Sequence, residues 1–407
     1  MKDTNLKAGI LWNAAGNLIY LISQWLITVL VATMGSFRDA GVLSIAMSVS
    51  ATFQTLALFG MRNYQVSDIE ERYSNTCYVG FRVVTCAAAL VGCVAFALIA
   101  GYAGETLVAI LLFMLFRLTE NFSDVLHGIA QKNDRLDIAG KSFAVRGVCV
   151  LAIFVAVFGV SHSLVASLGA MAAFSFGAMM LYDVRAVLRV SAFGLSLKGS
   201  RWQALARETI PLCVYFFLYA AITTVPKLIL ERRCGEEILG AYSSIFAPAL
   251  LVQAAVAYVY TPFAQIFAAH RASGDRTAFL RLFGRISAVI GGVSAVVLVA
   301  AQFLGAWGLQ LVFGARILPY VGFLTPILIA ITLTSFFGFL CMLAVVLRRF
   351  SWLLAACGVG FLLCAVLTAP FIKLLDVNGT SYSLCAAMLA SSVLLMVGIA
   401  KDVIKKE

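Results

Sequence analysis

Charged residues are scarce in this sequence. Asp, Glu, Lys and Arg account for 12% of its 407 residues, whereas about a quarter of the residues of a soluble globular protein are charged. Hydrophobic residues account for 62%, and the mean hydropathy is +0.99. These values exclude a soluble globular protein and predict an all-α integral membrane protein.

Metal-binding and disulfide patterns are also missing. The ten cysteines form no Cys-x-x-Cys pair and no Cys–His cluster, and most lie inside apolar runs, so we expect neither a metal site nor a disulfide framework. No proline precedes Pro211. Pro226 and Pro248 interrupt apolar runs of the second half, where a proline kinks a helix, and we predict that Pro226 is a hinge.

Long apolar runs are what the sequence has instead. Twelve runs have about the length of roughly 20 residues needed to cross a bilayer, and we interpret the first as a retained span rather than a signal peptide. We predict about twelve transmembrane helices in two six-helix lobes, residues 1–195 and 196–407, joined by a basic connection. The predicted spans are 10–34, 40–60, 78–101, 105–126, 143–160, 163–182, 209–230, 238–262, 282–304, 320–346, 351–373 and 381–400.

Most of the 30 Lys and Arg residues fall in alternate connections between these spans. The positive-inside rule then predicts that both termini are cytoplasmic. The connection from Arg185 to Arg207 is expected to lie on the anionic lipids of the inner leaflet. This distribution accounts for the net charge of +11 without a nucleic-acid partner.

One stretch carries charge inside an apolar run. Arg117, Glu120, Asp124, Gly128 and Gln131 fall within about 80° of each other on a helical wheel. Each charge at the centre of a bilayer costs roughly 2.5–3.5 kcal/mol, so these groups must face a partner or water. Two interpretations stay open. An ion pair between Arg117 and Glu120 at i, i+3 could lock the helix in place, or the face could line a water-filled cavity for a charged substrate.

Three further spans carry polar residues along one face. Ser, Thr and Asn side chains also hydrogen-bond across helix interfaces in membranes, which would account for any single stripe. Together with the charged stretch, the three stripes indicate a shared lumen. They comprise Asn13, Asn17, Tyr20, Gln24 and Thr28 in span one, Ser44, Ser48, Thr55 and Arg62 in span two, and Thr223, Lys227 and Glu231 in span seven.

Four passages resemble Wzx-type flippases of the polysaccharide transporter family, within the MOP superfamily. They are residues 13–25, the sequences FGMRNYQVSD and YSNTCYVGFR, the stretch from Phe116 to Gly147, and PKLILERRCGEEILGAYSSIFAPALL. The chain departs from the family at Arg117, where a lysine is common, although the charge is kept. The residues that match family positions are Arg62, Asp68, Tyr73, Tyr78, Arg82, Asp124, Gly128, Gln131, Asp137, Ser142, Arg146, Pro226 and Lys227.

The resemblance implies two six-helix lobes around a central cavity. It also implies a substrate, an undecaprenyl-diphosphate-linked oligosaccharide, that is turned from the inner to the outer leaflet of the bacterial cytoplasmic membrane by alternating access. Other polysaccharide-assembly proteins are candidate partners. A diphosphate in hydrocarbon needs cations, and a sugar chain needs amide and hydroxyl partners. The predicted substrate-binding residues of the cavity are Arg117 and Lys227, which would hold the diphosphate, Arg62, which would be an entry-side contact, Arg82 and Arg146, and Asn13, Asn17 and Gln24, whose amides would suit the sugars.

Two carboxylates are candidates for ion coupling. Glu120 and Asp124 lie about 40° apart on the polar face and are predicted to bind a proton or a sodium ion during transport. The alternative is that both carboxylates only hold Arg117 in place. We expect no cofactor, no metal site and no enzymatic activity.

Two other functions fit part of the pattern. A MATE-like exporter of cationic drugs would share the architecture, but its cavity should carry mainly carboxylates, whereas Arg117 and Lys227 suit an anionic ligand. A membrane enzyme such as a polysaccharide polymerase usually has a large external loop with arginines and histidines. Here the external connections are short, and only His162 is predicted to lie outside. His127 and His270 are placed in cytoplasmic loops.

Overall fold

The computed structural model describes residues 2–68, 72–195 and 200–404. Every regular element in these ranges is a helix, which confirms the predicted all-α class. A π-helical segment, Met179–Val184, joins α7 to α8. The α-helices are α1 (Lys2–Met34), α2 (Phe37–Leu58), α3 (Met61–Ser67), α4 (Asn75–Ile99), α5 (Gly104–Lys132), α6 (Leu136–Ser161), α7 (Leu164–Ala178), α8 (Arg185–Leu188), α9 (Ser200–Tyr260), α10 (Ala264–Ala272), α11 (Arg276–Phe313), α12 (Leu324–Val346), α13 (Phe350–Leu375) and α14 (Asn378–Ile404).

Eleven helical stretches in the described ranges are long and apolar enough to cross a membrane. Ten of them coincide with ten of the predicted spans. The other, Trp202–Ala272, has 71 residues and would be about 107 Å long if straight, more than three times the thickness of the hydrocarbon core. Gly235 leaves the helical conformation at φ 87° and ψ 169°, and it separates the predicted spans 209–230 and 238–262. All twelve predicted segments are therefore helical.

The predicted hinge residue, Pro226, is not the residue at which α9 breaks. Gly235 has the non-helical backbone angles in this helix, whereas Pro226 lies within its regular part. A positive φ of this size is available to glycine at little steric cost, which explains why the helix breaks at Gly235. The role of Pro226 as a hinge stays a prediction.

The described chain divides into two compact units, Met1–Ala220 and Ala221–Glu407. The predicted lobe boundary, between 195 and 196, adjoins residues 196–199, which lie outside the described residues. In the first unit, α5 contacts α2, α3, α4, α6 and α7. The helix that carries the charged stretch is thus the central helix of its unit, and its polar face must find partners there.

Helices α1 and α6 pack with their backbones in close approach, which glycine makes possible. A Cβ atom on Gly16 would overlap the backbone of Gly140, and one on Gly140 would overlap the backbone of Trp12. A Cβ on Gly147 would lie 2.9 Å from the Cα of Tyr20. This contact places the polar residues of α1 beside α5 and α6.

Two details of the sequence prediction are wrong. Span two does not continue as far as Arg62, because α2 ends at Leu58 and both Phe59 and Gly60 adopt positive φ (54° and 63°). Arg62 therefore lies on α3 and not on the polar stripe of α2. Neither His127 nor His270 is in a loop, because α5 extends beyond the predicted span to Lys132 and His270 lies on α10.

The second unit is built mainly from α9, α11, α12, α13 and α14, with α14 packed on both α12 and α13. Aromatic rings fill its interior around Phe339, whose ring centroid lies 5.6 Å from that of Phe283 and 6.0 Å from that of Phe267. Buried hydroxyl groups pair between α9 and α14, where Tyr242 and Ser381 are 2.9 Å apart.

Candidate functional site

Three clusters of charged residues surround α5 in the first unit. We name each after the residue that the others contact. The Arg117 cluster comprises Arg117, Glu120 and Tyr20; the Asp124 cluster comprises Asp124, Arg62, Arg82 and Gln131; the Asp183 cluster comprises Asp183, Arg146, Ser123 and His127.

The Arg117 cluster contains the ion pair that the sequence suggested. Arg117 Nη1 lies 2.7 Å from Glu120 Oε2, and the hydroxyl group of Tyr20 donates to the other carboxylate oxygen. The guanidinium carbon also lies 5.1 Å from the ring centroid of Phe113. Arg117 Nε is buried and has no hydrogen-bond partner among the described residues. The Nη1 group of Arg117 is therefore engaged by Glu120 and Tyr20, whereas its buried Nε–H is not hydrogen-bonded to any described residue.

The Asp124 cluster joins one carboxylate to two arginines. Arg62 Nη1 and Arg82 Nη2 each lie 2.9 Å from a different oxygen of Asp124. Arg82 is fully buried and also donates to the backbone carbonyl of Ala57 near the end of α2. Arg62 is 26% exposed and donates at 3.2 Å to Gln131. This cluster consequently carries one more positive than negative charge.

A pocket of about 210 Å³ opens beside the surplus charge. Arg62 and Asp124 supply its charged lining, and the rest is apolar or small, including Thr55, Gly60 and Phe216. Since Arg82 is buried behind Asp124, Arg62 is the cation that this pocket exposes.

The Asp183 cluster is closed to solvent. Arg146, His127 and Asp183 have side chains that are 3%, 1% and 0% exposed. Asp183 accepts from Arg146 at 2.5 Å and from Ser123 at 2.7 Å, and its second oxygen lies 3.2 Å from His127 Nε2. Asp183 lies in the π-helical segment. Such segments hold an extra residue per turn, and here the extra residue brings Asp183 to Arg146.

The amide residues of α1 have separate environments. Asn17 Nδ2 donates at 2.7 Å to the carbonyl oxygen of Asn13, one turn earlier. Gln24 Nε2 is buried without a hydrogen-bond partner among the described residues. All three side chains are half-buried, so each could contact a ligand only in part.

Glycine on α5 makes room for an amide of α3. A Cβ atom on Gly128 would overlap the side chain of Gln65, which donates at 3.2 Å to the carbonyl oxygen of Val125. Gly128 is therefore needed for helix packing, and this explains the bare position on the polar face.

Asp68 fixes the connection between α3 and α4. It accepts hydrogen bonds from the hydroxyl group of Tyr78 at 2.8 Å and from the backbone N–H groups of Arg72 and Tyr73 at 3.0 and 3.1 Å. Burial alone would raise the pKa of Asp68, but these three hydrogen bonds to the carboxylate outweigh burial and lower it. This residue has a structural role in the conformation described.

Glu208 attaches the beginning of α9 to the same region. The hydroxyl groups of Tyr64 and Tyr73 both donate to its carboxylate. The hydrogen bond to Glu208 and burial raise the pKa of Tyr64 to about 12. Trp202 stacks on Phe81 with 23° between the rings, so α9 begins as part of the first unit.

Lys227 is the predicted site cation of the second unit. Its Nζ atom lies 4.2 Å from the ring centroid of Phe246, and it forms no ion pair with a carboxylate of the described residues. Its contact in the described residues is therefore with an aromatic ring, which attracts a cation through its π face, and not with a carboxylate.

The structure brings some predicted site residues together and leaves others apart. Arg62, Arg82 and Asp124 meet in one cluster, whereas Arg117 with Glu120 and Arg146 with Asp183 form two others. Arg82 and Arg146 are bound by protein groups and buried in this conformation, so their contact with a substrate stays a prediction. Asp183, His127 and Glu208 were missed. Because a buried charge must have a partner, a buried Arg146 requires a carboxylate nearby. A search for that carboxylate in the sequence could have identified Asp183.

The comparisons with known proteins agree with this fold. No family model matches the chain. It is 23% identical over 231 residues to the capsular polysaccharide biosynthesis protein CapF of Staphylococcus aureus, a match that spans 56% of this chain and 57% of that protein.

Two solved structures match over nearly the whole chain. An inward-facing multidrug resistance MATE transporter of the MOP superfamily has a TM-score of 0.70 at 11% identity, over 97% of this chain and 98% of that one. The lipid II flippase MurJ, in an inward closed conformation, has a TM-score of 0.71 at 12% identity, over 97% and 89%. The protein is thus a multi-pass membrane protein with the fold of MOP-superfamily transporters.

Proposed function

We propose that this membrane protein is a flippase for an undecaprenyl-diphosphate-linked oligosaccharide. It moves the substrate from the inner to the outer leaflet of the bacterial cytoplasmic membrane, by alternating access, for the synthesis of a cell-surface polysaccharide. The fold shared with MurJ and the partial likeness to CapF support this class of substrate, since one is a lipid flippase and the other belongs to capsule synthesis.

The surplus positive charge of the Asp124 cluster carries the proposal. The Arg117 cluster holds one cation and one anion, and in the Asp183 cluster Arg146 is matched by Asp183. Of these three clusters, only the Asp124 cluster has two arginines that share one carboxylate, and its exposed arginine lines a pocket. Asp137 is also shared by two cations, Arg135 and Lys141, but neither of them lines this pocket. A guanidinium group in such a site suits phosphate oxygens, which it can bind through two parallel hydrogen bonds.

Other residues are proposed to contact the substrate as well. In the first unit, Arg117 offers a second cation, and Asn13, Asn17 and Gln24 offer amides to the sugar hydroxyl groups. In the second unit, considered by itself, Lys227 is the cation proposed to contact the substrate. Arg82 and Arg146 act in this scheme by holding Asp124 and Asp183 in place. Glu120 and Asp124 are the proposed sites for a coupling proton or sodium ion, and each would have to leave its arginine partner to bind it.

A MATE-like exporter of cationic drugs is the competing function, because a MATE transporter shares the fold. Such a substrate needs a carboxylate that is free to bind it. In α5 and the π-helical segment, however, Glu120, Asp124 and Asp183 each accept from an arginine. An anionic substrate fits this arrangement better than a cationic one.

The test is transport by the purified protein in proteoliposomes that contain an undecaprenyl-diphosphate-linked oligosaccharide in both leaflets. A membrane-impermeant glycosidase reaches only the outer leaflet. Wild-type protein should expose the whole pool to the enzyme, whereas protein-free vesicles should keep their inner share protected. Arg62→Gln removes a charge-assisted contact of roughly 1.5–3 kcal/mol, so the rate should fall about tenfold or more.

Arg72→Gln is the matched control, because Arg72 is an exposed arginine of the neighbouring connection and lines no pocket described above. Its rate should equal that of wild type. A protected inner pool with active, correctly inserted wild-type protein would disprove the flippase function. Uptake of a cationic dye by the same vesicles would favour the exporter.

A further inference from the structure

The first unit has an apolar groove on the side of α5 opposite the charged face. Its volume is about 560 Å³, and α4, α5 and α7 form its walls. The wall of α5 includes Leu118 and Phe122, which are the neighbours of Arg117 and Asn121 in the chain. The floor on α7 is made of small residues, Gly169, Ala172 and Ala173. The groove takes no part in the proposed site.

The length of the groove matches one leaflet of a bilayer. Its lining on α5 extends from Leu112 to Phe122, which is about 15 Å along the helix axis. Half of a hydrocarbon core of about 30 Å has the same thickness. Leu115 and Phe176 at its edge are 43% and 53% exposed, so the groove is open to the hydrocarbon that surrounds these spans.

Along the helix formed by α7, the π-helical segment and α8, apolar residues are followed by an aromatic residue and then by basic residues. This is the order of acyl chain, interface and headgroup in a phospholipid. Ala173, Phe176 and Met179 line the groove, half-buried Tyr182 follows, and two exposed arginines come next. Aromatic residues of this kind lie at the headgroup level of membranes. Arg185 is twelve residues beyond Ala173, about 18 Å along the helix.

The two arginines are available to an anion. Arg185 and Arg189 are exposed, and neither forms an ion pair with a carboxylate of the described residues. Basic residues at the membrane surface attract anionic headgroups. An apolar groove of one leaflet's depth with a basic end has the chemistry of a site for an anionic lipid.

We propose that this groove binds one anionic glycerophospholipid, with an acyl chain between α4, α5 and α7 and its phosphate at Arg185 and Arg189. In the orientation expected from the sequence, the lipid comes from the cytoplasmic leaflet. The bound chain supports α5 from the face opposite the charged clusters. The inference does not depend on the identity of the transported substrate.

Native mass spectrometry of the purified protein tests this proposal, with phosphatidylglycerol and phosphatidylcholine of identical chains as probes. Wild-type protein should retain one phosphatidylglycerol. Ala173→Phe fills the groove, because Ala173 is exposed at its floor, and should lower retention of both lipids at least tenfold. Ala156→Phe is the matched control, since Ala156 is an exposed alanine of α6 outside the groove, and it should behave like wild type.

A second groove-filling variant distinguishes a filled groove from misfolding as the cause of lipid loss. The nearest atom to a Cβ on Gly169 is a side-chain carbon of Leu112 at 3.8 Å, so Gly169→Leu should enter the groove without strain. It should lose phosphatidylglycerol as Ala173→Phe does, at an unchanged elution volume in size-exclusion chromatography. Equal retention in Ala173→Phe, Gly169→Leu and Ala156→Phe would overturn the proposal.

The headgroup contact has its own test. At about 1 kcal/mol for each basic residue, the double change Arg185→Gln and Arg189→Gln should weaken phosphatidylglycerol binding about 30-fold and leave phosphatidylcholine unchanged. The control removes two exposed arginines of α11, Arg276→Gln and Arg281→Gln, and should have no effect. If both double variants lose the lipid equally, or if a polyprenyl phosphate displaces it at equimolar concentration, the phospholipid site is disproved.

Discussion

The two units keep polar groups in a membrane environment by different means. In the first unit, arginine and carboxylate side chains pair across α5, and two of them, Arg82 and Asp183, are fully buried. In the second unit, two buried hydrogen bonds between side chains of the described residues join neutral hydroxyl groups, Tyr242 with Ser381 and Thr368 with Ser383.

The difference predicts where each unit is vulnerable. A buried ion pair is expensive to form and very expensive to break on one side, because the remaining charge is uncompensated. A neutral hydrogen bond contributes less, about 0.5–1.5 kcal/mol net. The first unit should therefore depend on complete clusters, whereas the second should tolerate the loss of single polar contacts.

The largest effect is expected from Asp124→Asn. It leaves the guanidinium group of Arg82 buried without a counter-charge, and the first unit should lose about 3–5 kcal/mol of stability. Thermal unfolding in detergent, followed by tryptophan fluorescence, measures it. Glu105→Gln, at an exposed glutamate at the beginning of α5, is the control and should change little.

The double variant Asp124→Asn with Arg82→Met separates charge from packing. It removes both buried charges and should regain most of the stability that Asp124→Asn loses. If the double variant is no more stable than Asp124→Asn, an uncompensated charge is not the cause, and the comparison between the units fails.

Lys227→Leu should have a large effect on transport with none on stability. Lys227 contacts the ring of Phe246 and no carboxylate of the described residues, so its loss leaves no orphaned anion. Transport should fall about tenfold or more if the cation binds phosphate, and Lys227→Arg should keep part of it. Lys373→Leu, at an exposed lysine of α13, is the control. Normal transport in Lys227→Leu would remove this residue from the site.

A matched pair of tyrosine changes compares the units directly. Tyr20→Phe removes a hydrogen bond to a carboxylate and should cost roughly 1.5–3 kcal/mol, whereas Tyr242→Phe removes one to a hydroxyl group and should cost about 1 kcal/mol. Tyr258→Phe, at a tyrosine that is 67% exposed, should be neutral. Equal losses from the first two changes would contradict the distinction between charged and neutral networks.

The smallest effect concerns alkaline pH. The hydrogen bond to Glu208, together with burial, raises the pKa of Tyr64 from 10.0 to about 12. A pKa raised on folding stabilises the folded state fully below pH 10 and loses that contribution as pH rises towards 12. The contribution is small because Tyr64 is half-exposed. The free energy of unfolding of wild type and of Tyr64→Phe, compared as the pH rises towards 12, measures it. An identical loss of stability in both proteins would show that another group is responsible.

The sequence predicted local features better than distant ones. The spans and the pair of Arg117 with Glu120 follow from periodicity and spacing within one helix. The partners of Asp124 do not, because Arg62 and Arg82 reach it from α3 and α4 after two changes of chain direction. Phe59 and Gly60 form a left-handed turn, and because of this turn Arg62 does not lie on the polar stripe of α2. Hydrophobic periodicity does not indicate such a turn.

Asp183 was missed for a related reason. A helical wheel assumes a constant angle per residue, and the π-helical segment breaks that assumption shortly before Asp183. The break at Gly235, by contrast, falls in the connection predicted between residues 230 and 238, where the charged sequence ERRCGEE separates two apolar runs.

The π-helical segment also has a consequence for sequence comparison. Met179–Val184 holds one residue more than an α-helix of equal length would, and that residue is what brings Asp183 to Arg146. A homologue without the extra residue would turn the carboxylate away by about 100°. Homologues that lack the extra residue should therefore show a one-residue gap here in an alignment, and they should also lack the arginine of α6. Such covariation would indicate that the insertion is retained because it forms this ion pair.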